Sequence, residues 1–244
     1  MAVELNIVHL YPDLMNLYGE YTNLAVLRRH LEALGVTVTA RAVTCEDGPD
    51  FTGADFIYMG AGAERAQKYV LEKLLPHADG LKAAAGAGAA LLFTGSAMET
   101  LGRSVTDAAG KVWPALGLAE FTTVETDRRD PVDVIAHTPL LDRPVVGFMN
   151  KCSVTHGIIS PLFDRLSLGF GNDGEKGAEG YVSETVLATH ITGPVLVKNP
   201  DFTDFLIRRI FETKGWALPE VLPVLPHERE AYEVTLAELS ARVK

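Results

Sequence analysis

The sequence predicts an α/β fold: a mostly parallel, doubly wound sheet with helices on both faces, and additional β-hairpin elements in the second half. Three observations predict it. Four short apolar runs alternate with helical segments in the first hundred residues, the arrangement that builds a parallel sheet. Two of these runs end in small, turn-forming residues, Gly60-Ala61-Gly62 and Thr94-Gly95-Ser96, as strands do when they feed directly into a helix. Beyond Gly110 helical periodicity fades and short β-like runs take over.

Residues 5–10 form an apolar first strand. Pro12 and Gly19 break the chain across 11–23, and Thr22 or Asn23 caps the helix that follows. In that helix Leu24, Leu27, His30, Leu31 and Leu34 recur at helical spacing, and Gly35 stops it. Residues 36–43 alternate as a second strand, and 56–59 make a third. Helices are expected at 64–75, closed by Pro76, and at 81–87. Residues 89–93 are the fourth strand, and 97–101 have helical composition after its turn. Right-handed crossovers place the turns after Met59 and Phe93 together at the carboxyl ends of their strands, where open α/β sheets form a ligand crevice. In the second half, β-like runs fall at 120–125, 132–136, 145–149, 166–170 and 184–191, followed by an amphipathic helix at 202–213. Pro219, Pro223 and Pro226 punctuate a linker, and a charged helix at 227–243 ends the chain. The expected organisation is one domain over 1–215, then a linker and terminal helix over 216–244.

A chain of 244 residues with 47% hydrophobic content can bury a substantial core. Its net charge of −10 is spread along the chain, which argues against the basic face that a nucleic acid or an anionic membrane would need. Cys45 and Cys152 form no CxxC, and the histidines are scattered. Neither a disulfide framework nor a metal site is expected, nor any cofactor, and a reducing, cytoplasmic compartment fits best. The first ten residues carry Glu4 and no basic segment, so they read as a strand and not as a signal peptide. No apolar run approaches the roughly 20 residues needed to cross a bilayer.

The strand–turn–helix at 89–102 is a frame on which α/β enzymes display a nucleophile, but its turn holds Thr94, Gly95 and Ser96 and no cysteine. Gly60-Ala61-Gly62 suits backbone N–H groups turned toward an anion; it lacks the P-loop lysine and the third glycine of a dinucleotide fingerprint, and a tight βα turn is the plainer reading. Ser96 is a cap, or a nucleophile with His190 as its base. Cys152 follows Lys151, a charge able to lower a thiol pKa, although a structural cysteine is the plainer reading. Cys45 lies in a Glu/Asp-rich loop that disfavours a thiolate.

Several ordered segments carry a resemblance. They are His9-Leu-Tyr-Pro-Asp-Leu-Met-Asn-Leu-Tyr-Gly19 with Asn23 beyond, and Gly60-Ala-Gly-Ala-Glu-Arg-Ala-Gln67. Further along are Thr126-Asp-Arg128, Val146-Gly-Phe-Met-Asn150, Phe170-Gly-Asn-Asp173, Glu179-Gly180 and Gly193-Pro-Val-Leu-Val-Lys-Asn199. Over nearly its whole length the chain resembles class I, CobB/CobQ-type glutamine amidotransferases, and within them the GatD glutaminase subunits of lipid II isoglutaminyl synthase. The resemblance implies the class I amidotransferase fold and a heterodimer with a MurT-like Mur ligase. In that family, glutamine hydrolysis supplies ammonia, and the partner amidates the D-glutamate of lipid II in cell-wall synthesis. A cysteine after the fourth strand attacks, a histidine acts as base, and backbone N–H groups hold the oxyanion.

Lined up on Leu101-Gly102, Gly95 stands where the family has its cysteine, and Thr192 stands where it has its histidine. Neither residue can do the work, so the resemblance implies a subunit without its own glutaminase dyad. It also implies Gly60, Ala61, Gly62 and the N–H of Ser96 as the oxyanion wall, and Arg128 as a carboxylate-binding residue. Glutamine or a related amino acid is then a candidate ligand of the old pocket. The alternatives are a non-catalytic amino-acid-binding or regulatory module, and an enzyme with chemistry relocated to Cys152, Ser96 or His190. On a strand, His190 would share a face with Thr192 but sit roughly 6.5–7 Å away.

Overall fold

In β1 (Val3–Leu10), Leu5 and Ile7 enter one hydrophobic core while Val8 and Leu10 enter another. β3 (Phe56–Met59) and β4 (Ala90–Thr94) divide in the same way: Phe56, Tyr58, Ala90 and Leu92 go to the first core, Ile57, Met59, Leu91 and Phe93 to the second. Period-two side chains on a strand apolar throughout require a cover on each face, and that requirement sets the architecture. The structure is a computed structural model that describes residues 3–175, 177–218, 222, 225 and 227–243.

β2 (Val36–Val43), β10 (Tyr181–Val182) and β11 (Val186–Thr189) complete a six-stranded sheet in the order β10-β11-β4-β3-β1-β2. All its pairings are parallel except β10 with β11. α1 (Tyr21–Ala33) and α5 (Pro200–Lys214) contribute to the first core, α2 (Glu64–Leu74) and α3 (Ala78–Gly86) to the second. In chain order β2 lies on one side of β1 and β3 on the other. The strand order therefore reverses beside β1, and the carboxyl ends of β1, β3 and β4 open there.

The second half forms a mixed sheet: β5 (Ser104–Thr106), β6 (Val112–Pro114), β7 (Thr122–His137), β8 (Val145–His156) and β9 (Arg165–Leu168). The two expected runs at 120–125 and 132–136 belong to one 16-residue strand. Its register against β8 shifts between Glu125 and Asp130, a bulge that absorbs the charged Thr126–Arg129 stretch without ending the strand. The two sheets meet where Thr192 bridges Phe148, its N–H donating to the Phe148 carbonyl at 2.8 Å.

Helix boundaries also moved. α1 starts at Tyr21, so Thr22 and Asn23 are not its caps. The Tyr21 N–H is taken by Asn16 Oδ1 at 2.8 Å, and Asn23 is buried among later contacts. The segment after β4 is a 3₁₀ helix, Gly95–Leu101, rather than an α-helix. α4 (Val195–Lys198) is one turn, and α6 (Glu228–Ser240) is the final helix. α6 packs back onto the body: Tyr232 and Leu239 join Ile135 and Val146 in a small core, and Arg229 makes a bidentate pair with Asp201 at 2.6 Å. The linker prolines Pro219, Pro223 and Pro226 lie outside the described residues. No helix among the described residues is long and apolar enough to cross a membrane.

Candidate functional site

A cavity of about 210 Å³ opens at the carboxyl ends of the central strands. Leu17, Tyr18, Glu64 and Arg129 stand at its mouth, and Gly95, Ser96, Glu99, His190 and Thr192 line it further in. The two turns singled out in the sequence do converge here.

Gly95 follows β4 with φ +59°, a left-handed conformation that favours glycine. A Cβ at this position would lie 2.5 Å from the Ala61 Cβ and 2.7 Å from the Thr192 Cγ2. The space is closed by two methyl groups. The Thr192 hydroxyl donates to the Phe148 carbonyl at 3.3 Å, so it serves the junction between sheets.

Ser96 turns its side chain back onto the Gly60-Ala61-Gly62 turn. Its Oγ accepts the Gly62 N–H at 3.0 Å and donates to the Gly62 carbonyl at 2.8 Å. The expectation that this turn leaves its N–H groups free is therefore corrected at Gly62: a hydroxyl one residue past the elbow fills the position an oxyanion would take. Gly60 is glycine for space, since a Cβ there would come within 2.8 Å of Glu20 Cβ and the Met15 carbonyl.

Arg128 does not enter the cavity. Its side chain is 79% exposed and pairs with Asp130 at 2.7 Å. The bulge in β7 turns Arg129 inward instead, onto Glu64, with contacts to the Asn150 carbonyl at 3.2 Å and Cys152 Sγ at 3.3 Å. The alternative in which Lys151 activates Cys152 finds no support in the geometry. Adjacent residues on a strand point to opposite faces, and Lys151 Nζ donates to the carbonyls of Gly171 and Asn172 at 2.8 and 3.1 Å. Burial and the neighbouring Glu64 carboxylate push the Cys152 thiol up to about 11. Burial and Asp13 likewise raise Cys45.

His190 lies just past β11 and is 2% exposed. Its Nδ1 lies 3.0 Å from Glu179 Oε1, and its own backbone N–H donates to the same oxygen at 2.7 Å. Thr189 Oγ1 donates to the other Glu179 oxygen at 2.6 Å. Across the cavity Glu99 is held by Ser153 and by Gln67 Nε2, the latter at 2.6 Å, and stands 3.6 Å from His190 Nε2. Although burial alone would raise it, the neighbouring His190 ring and hydrogen bonds from Ser153 and Gln67 hold the Glu99 carboxyl below its usual range. Sequence reasoning missed Glu99, Glu179, Glu20 and Arg129 as parts of this site. Their partners lie tens of residues away, and isolated acids in polar segments read as surface.

Glu20 ties the elbows together. Buried completely, it accepts hydrogen bonds from Tyr58 OH at 2.8 Å, the Gly193 N–H at 3.0 Å, Asn23 Nδ2 at 3.3 Å and Thr94 Oγ1. Burial nevertheless raises its pKa above the ordinary value. A carboxyl raised in the folded state contributes stability that is complete below its unfolded pKa and is lost as pH rises through the folded one. Glu20→Gln is therefore expected to lose most relative to the parent in acid. Urea midpoints of both proteins across about pH 4 to 8 should show the gap closing as pH rises, and a constant gap would contradict the elevated pKa.

Strand order, the crevice at the reversal point and the two convergent elbows define a class I glutamine amidotransferase fold. The chain is similar in fold to PurLQS from Thermotoga maritima, with TM-score 0.54 at 13% identity, covering 87% of this chain and 99% of that one. A second solved glutamine amidotransferase matches with TM-score 0.54 at 16% identity, covering 85% and 98%. The CobB/CobQ-like glutamine amidotransferase domain matches residues 6–200, and the chain belongs to that family. Two relatives are lipid II isoglutaminyl synthase (glutamine-hydrolyzing) subunits GatD. That of Staphylococcus aureus (strain N315) is 28% identical over 212 residues, covering 87% of this chain and 86% of the relative. That of Streptococcus pneumoniae (strain ATCC BAA-255 / R6) is 28% identical over 214 residues, covering 86% and 82%.

Proposed function

We propose that this chain is a GatD-like subunit of a lipid II-amidating complex, paired with a MurT-like Mur ligase, that does not hydrolyse glutamine itself. The observation that carries this reading is the closed elbow: Gly95 has no side chain, and Ala61 and Thr192 occupy the space one would need. Ser96 holding the Gly62 N–H supports it, because oxyanion stabilisation requires a donor free to meet developing charge. The cell-wall assignment rests on the GatD relatives and on similarity that spans most of both chains. Chemistry relocated to Cys152 or Ser96 has little support: the thiol is held protonated near neutral pH, and the hydroxyl is committed at both ends to Gly62.

The test is ammonia release from glutamine by the purified chain, alone and with its ligase partner. No release above background is expected. In the same complex, amidation of a D-glutamate-bearing lipid II acceptor should proceed with ATP and ammonium salt. Hydrolysis at ordinary glutaminase rates would overturn the inactive-subunit reading, and failure to bind any Mur-type ligase would overturn the partner.

A further inference from the structure

Among the described residues, Tyr11, Tyr18 and His227 carry a side chain on a left-handed backbone, and Tyr18, at φ +62°, does so at the mouth of the cavity. A non-glycine residue held in that region costs free energy and persists where its surroundings over-determine it. The residues just before Tyr18 supply that constraint. Met15 is fully buried and packs so closely on Gly62 that a Cβ there would lie 2.3 Å from its Sδ. The Leu17 N–H donates to the Ala61 carbonyl at 2.9 Å. With the backbone pinned in this way, the phenol lines the entrance, its ring edge-on to Phe148 at 5.7 Å between centroids and 45% of the residue exposed.

The hydroxyl is tied to the opposite side. Asn150 Nδ2 donates to Tyr18 OH at 2.7 Å. The orientation of the Asn150 amide is fixed by Arg129, which donates to its side-chain oxygen at 3.3 Å and to its backbone carbonyl at 3.2 Å; a guanidinium only donates, so the oxygen must face it and the NH2 must face the tyrosine. Arg129 in turn reaches Glu64. Tyr18, Asn150, Arg129 and Glu64 form one hydrogen-bonded chain across residues that all line the cavity, drawn from the turn before α1, from β8, from the β7 bulge and from the first turn of α2. Cys152 Sγ lies 3.3 Å from both Arg129 and Glu64. The tyrosine is the least restrained member, because one hydrogen bond and one ring-edge contact hold its side chain, and it can rotate while Met15 and Leu17 keep the backbone in place.

We propose that Tyr18 is the gate of the cavity, latched shut by Asn150 and Arg129, and that its swing sets the size of the molecules that reach the interior. Latched, the entrance passes small solutes only. Swung outward, it passes larger ones.

Cys152 is a native reporter, since the chain has one other cysteine, Cys45. In the intact chain carrying Cys45→Ser, the rate of Cys152 modification is measured with methyl methanethiosulfonate, which is small, and with N-(1-pyrenyl)maleimide, which is bulky and uncharged. Both reagents consume the same thiolate, so the ratio of the two rates cancels its ionisation and reports access. The small-to-bulky ratio should lie well above that of the same chain unfolded in urea. Tyr18→Phe keeps the ring but loses the acceptor, and Asn150→Ala removes the donor. Each should lower the ratio by about fivefold, the worth of one neutral hydrogen bond in the open population. Tyr18→Ala, which removes the ring, should lower it further, and Tyr21→Phe, at an exposed tyrosine outside the cavity lining, should leave it unchanged. A folded-state ratio equal to that of the unfolded chain would overturn the proposal, because the mouth then stands open. A ratio unmoved by both Tyr18→Phe and Asn150→Ala would overturn it as well. The first comparison uses no variant of the mouth, so it stands even where one fails to fold. Neither glutamine nor a partner enters the measurement, so its failure leaves the function proposed above untouched.

Discussion

Restoring the missing side chains together, Gly95→Cys with Thr192→His, is expected to leave glutamine unhydrolysed. The elbow has no room for the thiol. A Cβ at 95 meets Ala61 Cβ at 2.5 Å, and removing the Thr192 methyl relieves only the second clash, at 2.7 Å. Overpacking of this kind costs about 1–3 kcal/mol, and a non-glycine residue at φ +59° adds about 1 kcal/mol or more. Gly95→Cys alone should therefore lower stability by about 2–4 kcal/mol, read from urea unfolding. The oxyanion position is a second obstacle. While Ser96 holds the Gly62 N–H, the restored pair lacks a donor that is typically worth about 10²–10³ in kcat. Adding Ala61→Gly and Ser96→Gly removes both obstacles. Ammonia release should rise only in that fourfold variant. Recovery in the double variant would show that the turn yields and that Ser96 gives up the amide when substrate arrives.

Removing the carboxylate of Glu179 should be the most damaging single change outside the hydrophobic cores. Its oxygens accept the Thr189 hydroxyl at 2.6 Å, the His190 N–H at 2.7 Å and face His190 Nδ1 at 3.0 Å, all out of contact with water. Glu179→Ala strands these donors in the interior. Stripping one side of a buried charged network costs about 3–5 kcal/mol, a large part of the roughly 5–15 kcal/mol that holds a domain folded. Glu179→Gln keeps an acceptor oxygen but puts an N–H against a donor, so about 1–3 kcal/mol is expected. Denaturant midpoints for both variants check the order Ala worse than Gln. An alanine variant within about 0.5 kcal/mol of the parent would mean that Glu179 does not hold His190.

The order of elements was legible because the relevant forces are local. An apolar run of four or five residues flanked by turn formers has few alternatives to a buried strand, and a glycine such as Gly35, at φ +81°, stops a helix wherever it occurs. The two elbows were legible for the same reason. β7 was not, because charged Thr126–Arg129 and Pro131 break the apolar alternation, whereas the bulge against β8 carries the strand through. The same bulge defeated the choice between Arg128 and Arg129. Side-chain parity along a strand inverts with one extra residue, and the sequence does not mark where it is inserted.

By itself, then, the sequence determined the α/β class, the meeting of the Gly60 and Gly95 turns, and the absence of a thiol at one and of an imidazole at position 192. Those are matters of residue type, periodicity and resemblance. Only the tertiary structure decided that Ser96 closes the Gly62 amide, that Lys151 turns away from Cys152, and that Glu99, His190 and Glu179 share one buried wall. Those three residues are separated by up to 91 positions in the chain. Hydrogen bonding and desolvation act over a few ångströms of space whatever the distance along the chain. Which polar groups end with a partner, and which are left without one, is settled only when the strands carrying them are brought side by side.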